Sequence, residues 1–180
     1  FEKVEEKLKD GIEQKLSSVD PENILQPTWN IVGPLFDKYK YNHESEVLSD
    51  MFMSLLANSM DKNTVENAHP SFVDIIAQLS PDEARLFKMI ATNPMCPKLD
   101  ILLKNKDQGY NIIYRNFIEL NEGIDLNHPH LVPTYLDNLQ RLNLINCTSG
   151  QFQEAYTNKD IYKSLKDSGF IQTIQKQVDN

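Results

Sequence analysis

The stretch HPSFVDIIAQLSPDEARLF, residues 69–87, predicts two consecutive helices and sets the plan of the fold. Pro70 stands at the start of the first helix, where a residue without an N–H is tolerated. The apolar residues then recur every three or four positions, as they do on the buried face of a helix. These faces comprise, in the first helix and then the second, Phe72, Val73, Ile76, Leu79, Leu86, Phe87, Ile90 and Ala91.

The sequence SPDE, residues 80–83, marks the start of the second helix. The Ser80 hydroxyl is placed to accept from the Glu83 amide, and the Glu83 carboxylate to accept from the Ser80 amide, which is a capping box. Acidic residues are also stabilised by the positive end of a helix. The charges of this stretch therefore indicate helix architecture, and His69 is expected to cap the first helix or to pack against Phe72.

The sequence before residue 69 predicts further helices. In FEKVEEKLKDGIEQKLSS, residues 1–18, apolar residues four apart form a narrow seam among acids and lysines, which is typical of a docking or pairing helix. Asp20 followed by Pro21 predicts a short helix, and HESEVLSDMFMSLLANSMD predicts one with a broad buried face. TWNIVGPLFDKYKY, which the Gly-Pro pair should kink or divide, predicts a helix that buries Trp29, Val32, Leu35, Phe36 and Tyr39.

The sequence after residue 92 alternates between clear and ambiguous patterns. KLDILLKN, residues 98–105, predicts a short apolar helix. DQGYNIIYRNFIELNEGIDLNHPH, residues 107–130, is predicted to be helical or irregular, although its apolar residues also alternate loosely like a strand. Residues 132–142 predict a helix. LINCT and QFQEAYT then predict the two strands of a hairpin around the turn at residues 148–150, and NKDIYKSLKDSGFIQTIQKQV predicts a closing helix.

These patterns predict a mainly α fold with one small β-hairpin. An N-terminal helical region, residues 1–66, is expected to pack on a C-terminal winged-helix-like region, residues 67–180, as one continuous compact unit. The order of helix, strand, turn, strand and helix is how a winged-helix module ends.

A winged helix raises the alternative of a DNA-binding transcriptional regulator. Its recognition helix would point Thr134, Asn138 and Arg141 outward, towards the major groove. Two features disfavour this reading. The helix carries a net-neutral Asp137/Arg141 pair instead of a basic face, and the segment that precedes it is far longer than a helix-turn-helix turn.

The net charge of −8 is unevenly distributed. Residues 1–80 hold seven Lys or Arg against fourteen Asp or Glu, and residues 81–180 hold eleven against twelve. Phosphate binding needs a local positive excess, so nucleic acid is a disfavoured partner. No apolar stretch approaches the length of a membrane span. Cys96 and Cys147 have no CxxC neighbour, so a reduced, cytoplasmic protein is expected.

The residues with reactive or metal-binding side chains form no recognisable catalytic pattern. The four histidines lack metal-ligand spacing, and neither a phosphate-binding loop nor a serine-nucleophile motif occurs. We therefore predict no catalytic, cofactor-binding or metal-binding residue, and a non-enzymatic function. An unfamiliar enzyme would need one exposed cleft to gather several of His69, Asp74, Asp82, Glu83 and Arg85.

Five stretches, in order and spacing, resemble the bacterial Abi-alpha family, which is associated with abortive infection. They are DPENILQP, GPLFDKYKY, LSDMFMSLLANSMD, HPSFVDIIAQLSPDEARLF and YLDNLQRLNLI, and they cover roughly residues 18–148. In the last stretch Asn143 replaces the glycine that the family favours, and Asn also tolerates a left-handed helix end. The most specific family positions are His69, Pro70, Phe72, Val73, Leu79, Ser80, Asn138, Leu139, Arg141 and Leu142.

The resemblance implies a cytoplasmic bacterial phage-defence protein and carries over no catalytic residues. In abortive infection the infected cell stops growing or dies. Together with the acidic N-terminal half, the resemblance leads us to expect that the protein acts by contact with an unknown protein partner. A homo-oligomer is also possible.

Overall fold

The computed structural model describes residues 2–93, 96–104, 109–120, 123–147 and 167–178. The chain separates into two compact units, Phe1–Ala84 and Arg85–Asn180. The boundary predicted after residue 66 stays a prediction. The first unit is helical, and the second combines helices with the sheet.

The first unit is built around one central helix, for which the apolar periodicity predicted a broad buried face. The helices up to residue 92 are α1 (Glu2–Leu16), α2 (Trp29–Asn42), α3 (Glu46–Ser59), α4 (Ser71–Ala77) and α5 (Pro81–Thr92), with 3-10 helices at Pro21–Asn23 and Val65–Asn67. The central helix, α3, packs against α1, α2 and α4, and α2 also packs against α4. Helix α5 begins in the first unit and continues into the second. Asp20 caps a short 3-10 helix by accepting from the Glu22 amide at 3.1 Å.

The predicted capping box at the start of α5 is confirmed. The Ser80 amide donates to Glu83 Oε2 at 2.6 Å, and the Glu83 amide donates to Ser80 Oγ at 3.2 Å. Ser80 and Glu83 therefore satisfy each other's amides at the helix start. Pro81 is the first residue of the helix, and Glu83 is buried.

Aromatic and aliphatic side chains fill the core of the first unit. Tyr39 and Phe52 are fully buried and meet edge to face, with ring centroids 6.3 Å apart. The Tyr39 hydroxyl lies 3.1 Å from Ser49 Oγ, so the buried polar tip of the ring has a partner. Leu35, Leu48 and Val73 complete this core from three helices.

Helix α2 departs from the prediction at two positions. Trp29 is 85% exposed, and the buried stripe runs through Ile31, Leu35 and Tyr39. The helix is also undivided at Gly33-Pro34, where a kink or a break was predicted, so the break is wrong and the kink stays a prediction. Gly33 lacks the Cβ that contributes to the clash with a following proline ring, which makes helical conformation less costly there.

The second unit carries a two-stranded antiparallel hairpin. Strands β1 (Lys98–Lys104) and β2 (Tyr110–Ile118) pair from Lys98–Ile118 to Lys104–Tyr110, with two register shifts between them. A 3-10 turn, Pro129–Leu131, leads into α6 (Val132–Arg141), which packs on β2. The predicted helix at 132–142 is thereby confirmed, and α7 (Gly169–Val178) agrees with the second half of the predicted closing helix.

The structure contains one small hairpin, as predicted, but other residues form it. KLDILLK forms β1, so the predicted helix there is wrong, and residues 144–147 of LINCT form no strand. QFQEAYT lies outside the described residues. YNIIYRNFI forms β2, so the predicted helical or irregular structure is wrong for these residues as well. A short apolar run fits a helix or a strand equally well, and the pairing of the two segments makes both of them strands. A mostly helical fold with one small hairpin is confirmed, and the winged-helix arrangement stays a prediction.

Candidate protein-interaction site

The outer half of the hairpin exposes four large apolar side chains. Leu102 is 51% exposed, Tyr110 62%, Ile112 55% and Ile113 44%. Leu102 pairs with Ile112, and Lys104 pairs with Tyr110. Paired residues of antiparallel strands share a face, so Leu102, Tyr110 and Ile112 form one apolar patch. We call this patch the hairpin surface.

Each strand of the hairpin has one edge that pairs with no other strand among the described residues. An unpaired edge is a template for strand addition by another chain. Single exposed apolar residues are ordinary on protein surfaces, whereas a patch of them beside such an edge is typical of an interaction site.

A buried polar residue, Asn116, holds the base of the hairpin. Its φ of 54° lies in the left-handed region, which Asn tolerates better than most residues, and it sits at a register shift of β2. The Asn116 amide N–H donates to Asp100 Oδ1 at 2.8 Å. Its side-chain Oδ1 accepts from Lys98 Nζ at 2.8 Å, and its Nδ2 donates to Asp137 Oδ1 at 2.9 Å.

These bonds connect both strands to α6. Lys98 and Asp100 lie on β1, Asn116 on β2 and Asp137 on α6. Because Asn116 is 6% exposed, loss of one partner would leave a buried polar atom unsatisfied, which is expensive. The network therefore holds the base of both strands in place against α6.

Three aromatic rings secure the inner half of β2. The Phe117 and Phe170 rings are nearly parallel at 9°, with centroids 5.0 Å apart, so α7 packs against the strand. Tyr114 meets Phe170 edge to face at 5.1 Å. The inner half of the hairpin is thus anchored on two helices, while its outer half faces solvent.

The two cysteines lie near the same anchor. Cys96 and Cys147 line a cavity of about 440 Å³ together with Lys98 and Leu136. Burial raises the pKa of the Cys96 thiol, and the neighbouring Cys147 raises it further. Burial also raises the pKa of Cys147, against the lowering effect of Lys98 and with the support of Asp137. Both thiols are therefore protonated at neutral pH, a state of low nucleophilicity.

The structure gives local partners to the residues that an unfamiliar active site would need. His69 Nδ1 accepts from the Ser71 amide at 3.2 Å, and its ring meets Phe72 edge to face, so both predicted roles of this histidine occur. Asp74 pairs with Lys38 at 3.7 Å. Asp82 and Glu83 are buried in the first turn of α5, and Arg85 is half-buried on the same helix. Among the described residues, no group of three His, Cys, Asp or Glu is placed to hold a metal ion.

The family positions are mostly parts of helix starts and core. Val73, Leu79 and Leu139 are buried, Pro70 precedes α4, and Leu142 follows α6. Phe72 keeps an exposed ring beside His69. Within each unit, these positions therefore contribute mainly to helix ends and to the core.

The residues of the DNA-binding alternative lie along one face of α6. Thr134 and Arg141 are exposed and Asn138 is half-buried. Arg141 Nε and Nη2 donate to Asn138 Oδ1 at 3.0 and 2.7 Å, so these two side chains already engage each other. The exposed Asp137 beside them adds negative charge to this face.

Sequence reasoning missed the hairpin surface. The signal was the alternation in YNIIYRNFI, with β-branched and aromatic residues over nine positions. It was outweighed because Ile113, Phe117 and Leu120 fit a helical period equally well. Exposure of Leu102 and Ile112 could be known only after the strands were paired.

Comparison with known proteins places the chain in one family. A model of the family described as abortive infection alpha matches residues 1–180. No curated protein and no solved structure matches the chain. Within the described residues, none of the helices has both the length and the apolar character needed to cross a bilayer.

Proposed function

Because the chain belongs to the abortive infection alpha family, we propose that it acts in phage defence by binding another protein through the hairpin surface. Its association with abortive infection follows from the family. The proposed mechanism is contact with a partner inside the bacterial cytoplasm, without a catalysed reaction. Both cysteines are unbridged, which suits a reducing compartment.

The exposure of Leu102, Tyr110 and Ile112 is the observation that carries this proposal. Burial of a Leu, Ile or similar side chain contributes about 1.5–3 kcal/mol each when it is complete. A cluster of this kind can supply the few residues that dominate the energy of an interface, among which Tyr is common. The anchored base presents it with little conformational freedom to lose on binding.

Strand addition is the binding mode that the hairpin favours. A partner segment in extended conformation would pair with a free strand edge through main-chain hydrogen bonds, and its alternate side chains would contact the hairpin surface. The partner should therefore offer a short strand with apolar residues at every second position.

One pair of variants tests this proposal on a single strand. Ile112→Lys places a charge in the hairpin surface, and Asn111→Lys places the same charge on the neighbouring exposed position, which points to the opposite face. Cells expressing each protein would be challenged with a set of phages, and plaque numbers would be compared with wild type. We expect Ile112→Lys to lose protection and Asn111→Lys to keep it.

Folding must be preserved for this comparison to count. Far-UV circular dichroism and the unfolding midpoint of both variants should match wild type, because both sites are solvent-exposed. A folded Ile112→Lys protein that still protects cells would refute the hairpin surface as the contact site.

An enzymatic mechanism makes a different prediction. The purified chain would be incubated with DNA, RNA and nucleoside triphosphates in the presence of Mg²⁺ or Mn²⁺. Metal-dependent degradation of any of these, at a rate that follows the protein through purification, would overturn the non-enzymatic proposal.

The outward residues of α6 support one rival, DNA binding by a transcriptional regulator. It predicts a gel shift with the protein's own promoter region at low salt, weakened by Arg141→Ala and falling steeply as salt is raised. If that gel shift occurs and Ile112→Lys does not change it, the hypothesis of a DNA-binding regulator replaces the hypothesis of protein binding through the hairpin surface.

A further inference from the structure

An open apolar trough crosses the first unit between α1 and α2. It encloses about 550 Å³, and its apolar lining comes from α1, α2 and the end of α3, with Pro27 and Met60 beside them. Leu8 and Leu56 are buried, whereas the apolar lining residues of α2 and the other two of α1 are half-buried and keep apolar surface available to a ligand. The trough is lined chiefly by Leu8, Ile12, Leu16, Val32, Phe36 and Leu56.

The trough is a consequence of how α1 sits on α3. Gly11 allows the close approach, because a Cβ at this position would lie 2.2 Å from Met53 Sδ. The apolar residues of α1 line the trough together with Val32 and Phe36 of α2. Leu8 is buried by that packing, whereas Ile12 and Leu16 are only partly covered.

The rim of the trough is polar and more negative than positive. Glu5, Lys9 and Glu13 of α1 border the apolar lining. Lys9 Nζ lies 3.8 Å from Glu13 Oε1, so the rim cation is paired with one of the two rim acids. The unit as a whole, residues 1–84, contains seven Lys and no Arg against sixteen Asp or Glu.

From this geometry we propose that the trough binds an amphipathic helix of a partner protein, with apolar residues at steps of three and four and Lys or Arg flanking them. Its charge complements the acidic unit, and its apolar stripe matches the lining. This is a second contact, distinct from the hairpin surface, and it does not depend on the function proposed above.

The spacing of the lining residues on α1 favours a helix over other occupants. Residues 8–16 of α1 span about 12 Å of helix axis, or two turns, which matches the spacing of three anchors at i, i+4 and i+8. An extended strand would need unpaired backbone groups in the walls, and the walls are helices whose backbone groups are paired internally. Helix-in-groove binding uses apolar anchors at this spacing.

Synthetic peptides test this inference with the full chain. The probe is a fluorescein-labelled peptide of ~15 residues, long enough to form helix on binding, with Leu at the anchor positions and Lys elsewhere. One comparison peptide replaces Lys by Glu, and another keeps the Lys peptide's composition in scrambled order. Fluorescence anisotropy at physiological salt should show the Lys peptide binding at least about tenfold more tightly than either.

Variants of the lining locate the binding. Leu16→Gln and Phe36→Gln remove apolar lining from the two walls, and Trp29→Gln removes an exposed apolar side chain of α2 that does not line the trough. We expect each lining variant to weaken binding about tenfold and Trp29→Gln to leave it unchanged. Equal binding of the scrambled peptide, or no effect of the lining variants, would overturn the proposal.

A rim variant keeps the test decisive if a lining variant fails to fold. Glu13 is exposed, so Glu13→Lys should fold, weaken binding of the Lys peptide and strengthen binding of the Glu peptide. Unchanged affinities would count against the charge match. Analytical ultracentrifugation separates one other occupant: if the chain self-associates and Leu16→Gln abolishes that association, a second copy fills the trough and the partner helix is rejected.

Discussion

The side-chain amide of Asn116 donates to the carboxylate of Asp137 across 2.9 Å, and this bond ties the base of the hairpin to α6. Asn116 serves two purposes, because its backbone adopts the left-handed conformation that the register shift requires while its side chain binds two partners. The position of the hairpin surface therefore depends on a residue that lies outside it.

Removal of Asp137 should destabilise the second unit. Asp137→Ala leaves the buried Nδ2 of Asn116 without this acceptor, which we expect to cost about 1–3 kcal/mol in the free energy of unfolding. Urea denaturation followed by circular dichroism measures it. Asp125→Ala, at an exposed loop position, is the control and should change stability by less than about 0.5 kcal/mol.

Two substitutions at Asn116 separate backbone strain from lost hydrogen bonds. Asn116→Gly removes the side chain but tolerates a φ of 54°, whereas Asn116→Ala removes the same bonds and adds strain. We expect the Ala variant to be less stable than the Gly variant by about 1 kcal/mol in urea unfolding. Equal stabilities would mean that the left-handed conformation imposes no constraint.

A methyl group added at Gly11 should fit only if the Met53 side chain moves. Gly11→Ala gains up to about 1 kcal/mol of helix propensity, but its Cβ would lie 2.2 Å from Met53 Sδ, so the flexible end of this buried side chain must shift. We expect that shift to cancel at least part of the gain in thermal stability. Gly169→Ala, which meets nothing within 4 Å, is the matched control and should not be destabilised. In a Met53→Ala background, the penalty of Gly11→Ala should shrink, because the two changes share one contact.

The capping box predicts unequal effects for its two members. Ser80→Ala leaves the Glu83 amide without its cap and should cost about 1 kcal/mol. Glu83→Gln keeps a side-chain oxygen that can accept from the Ser80 amide, so it should cost less. Thermal unfolding of both variants checks the order, and a larger loss for Glu83→Gln would show that its negative charge matters more than its acceptor.

The thiols should make stability fall in alkaline solution. Burial raises the pKa of Cys96 and of Cys147 in the folded chain, so the protonated thiol is favoured by folding. That contribution is complete below the pKa of the unfolded chain and is lost as pH rises through the raised folded value. We expect wild type to lose more stability between pH ~8 and ~10 than a Cys96→Ser, Cys147→Ser variant.

The rate of alkylation provides an independent test of the burial and the raised pKa of the two thiols. Iodoacetamide should react with the folded chain more slowly at neutral pH than with the chain unfolded in urea, because fewer thiolates form and access is restricted. Fast, equal labelling in both states would contradict buried thiols with raised pKa values.

Local sequence signals predicted the helical part of this protein well. The capping box at residues 80–83 and the apolar stripe of α3 depend on contacts within one or two turns, so their outcome follows from spacing alone. The hairpin could not be placed in the same way. β1 and β2 stabilise each other across the sheet, and a short apolar run contains no sign of its pairing partner.

The orientation of helix faces shows the same limit at single residues. Trp29 is the largest side chain of its helix, yet it is exposed, because α2 turns Ile31, Leu35 and Tyr39 towards its neighbours. Val32 and Phe36 were predicted to be core residues and instead line the trough. Periodicity identifies an apolar face, but only the packing of neighbouring helices decides how much of it is covered.

Local patterns in the sequence specify the helix starts and the mainly α character, because capping and periodicity act over short distances along the chain. The order of its motifs also identifies the abortive-infection family. The pairing of the strands, the contact between Asn116 and Asp137, and the accessibility of apolar residues in the hairpin and the trough are seen only in the folded chain. Those features depend on residues far apart in the chain, and their proximity is set by the packing of whole elements.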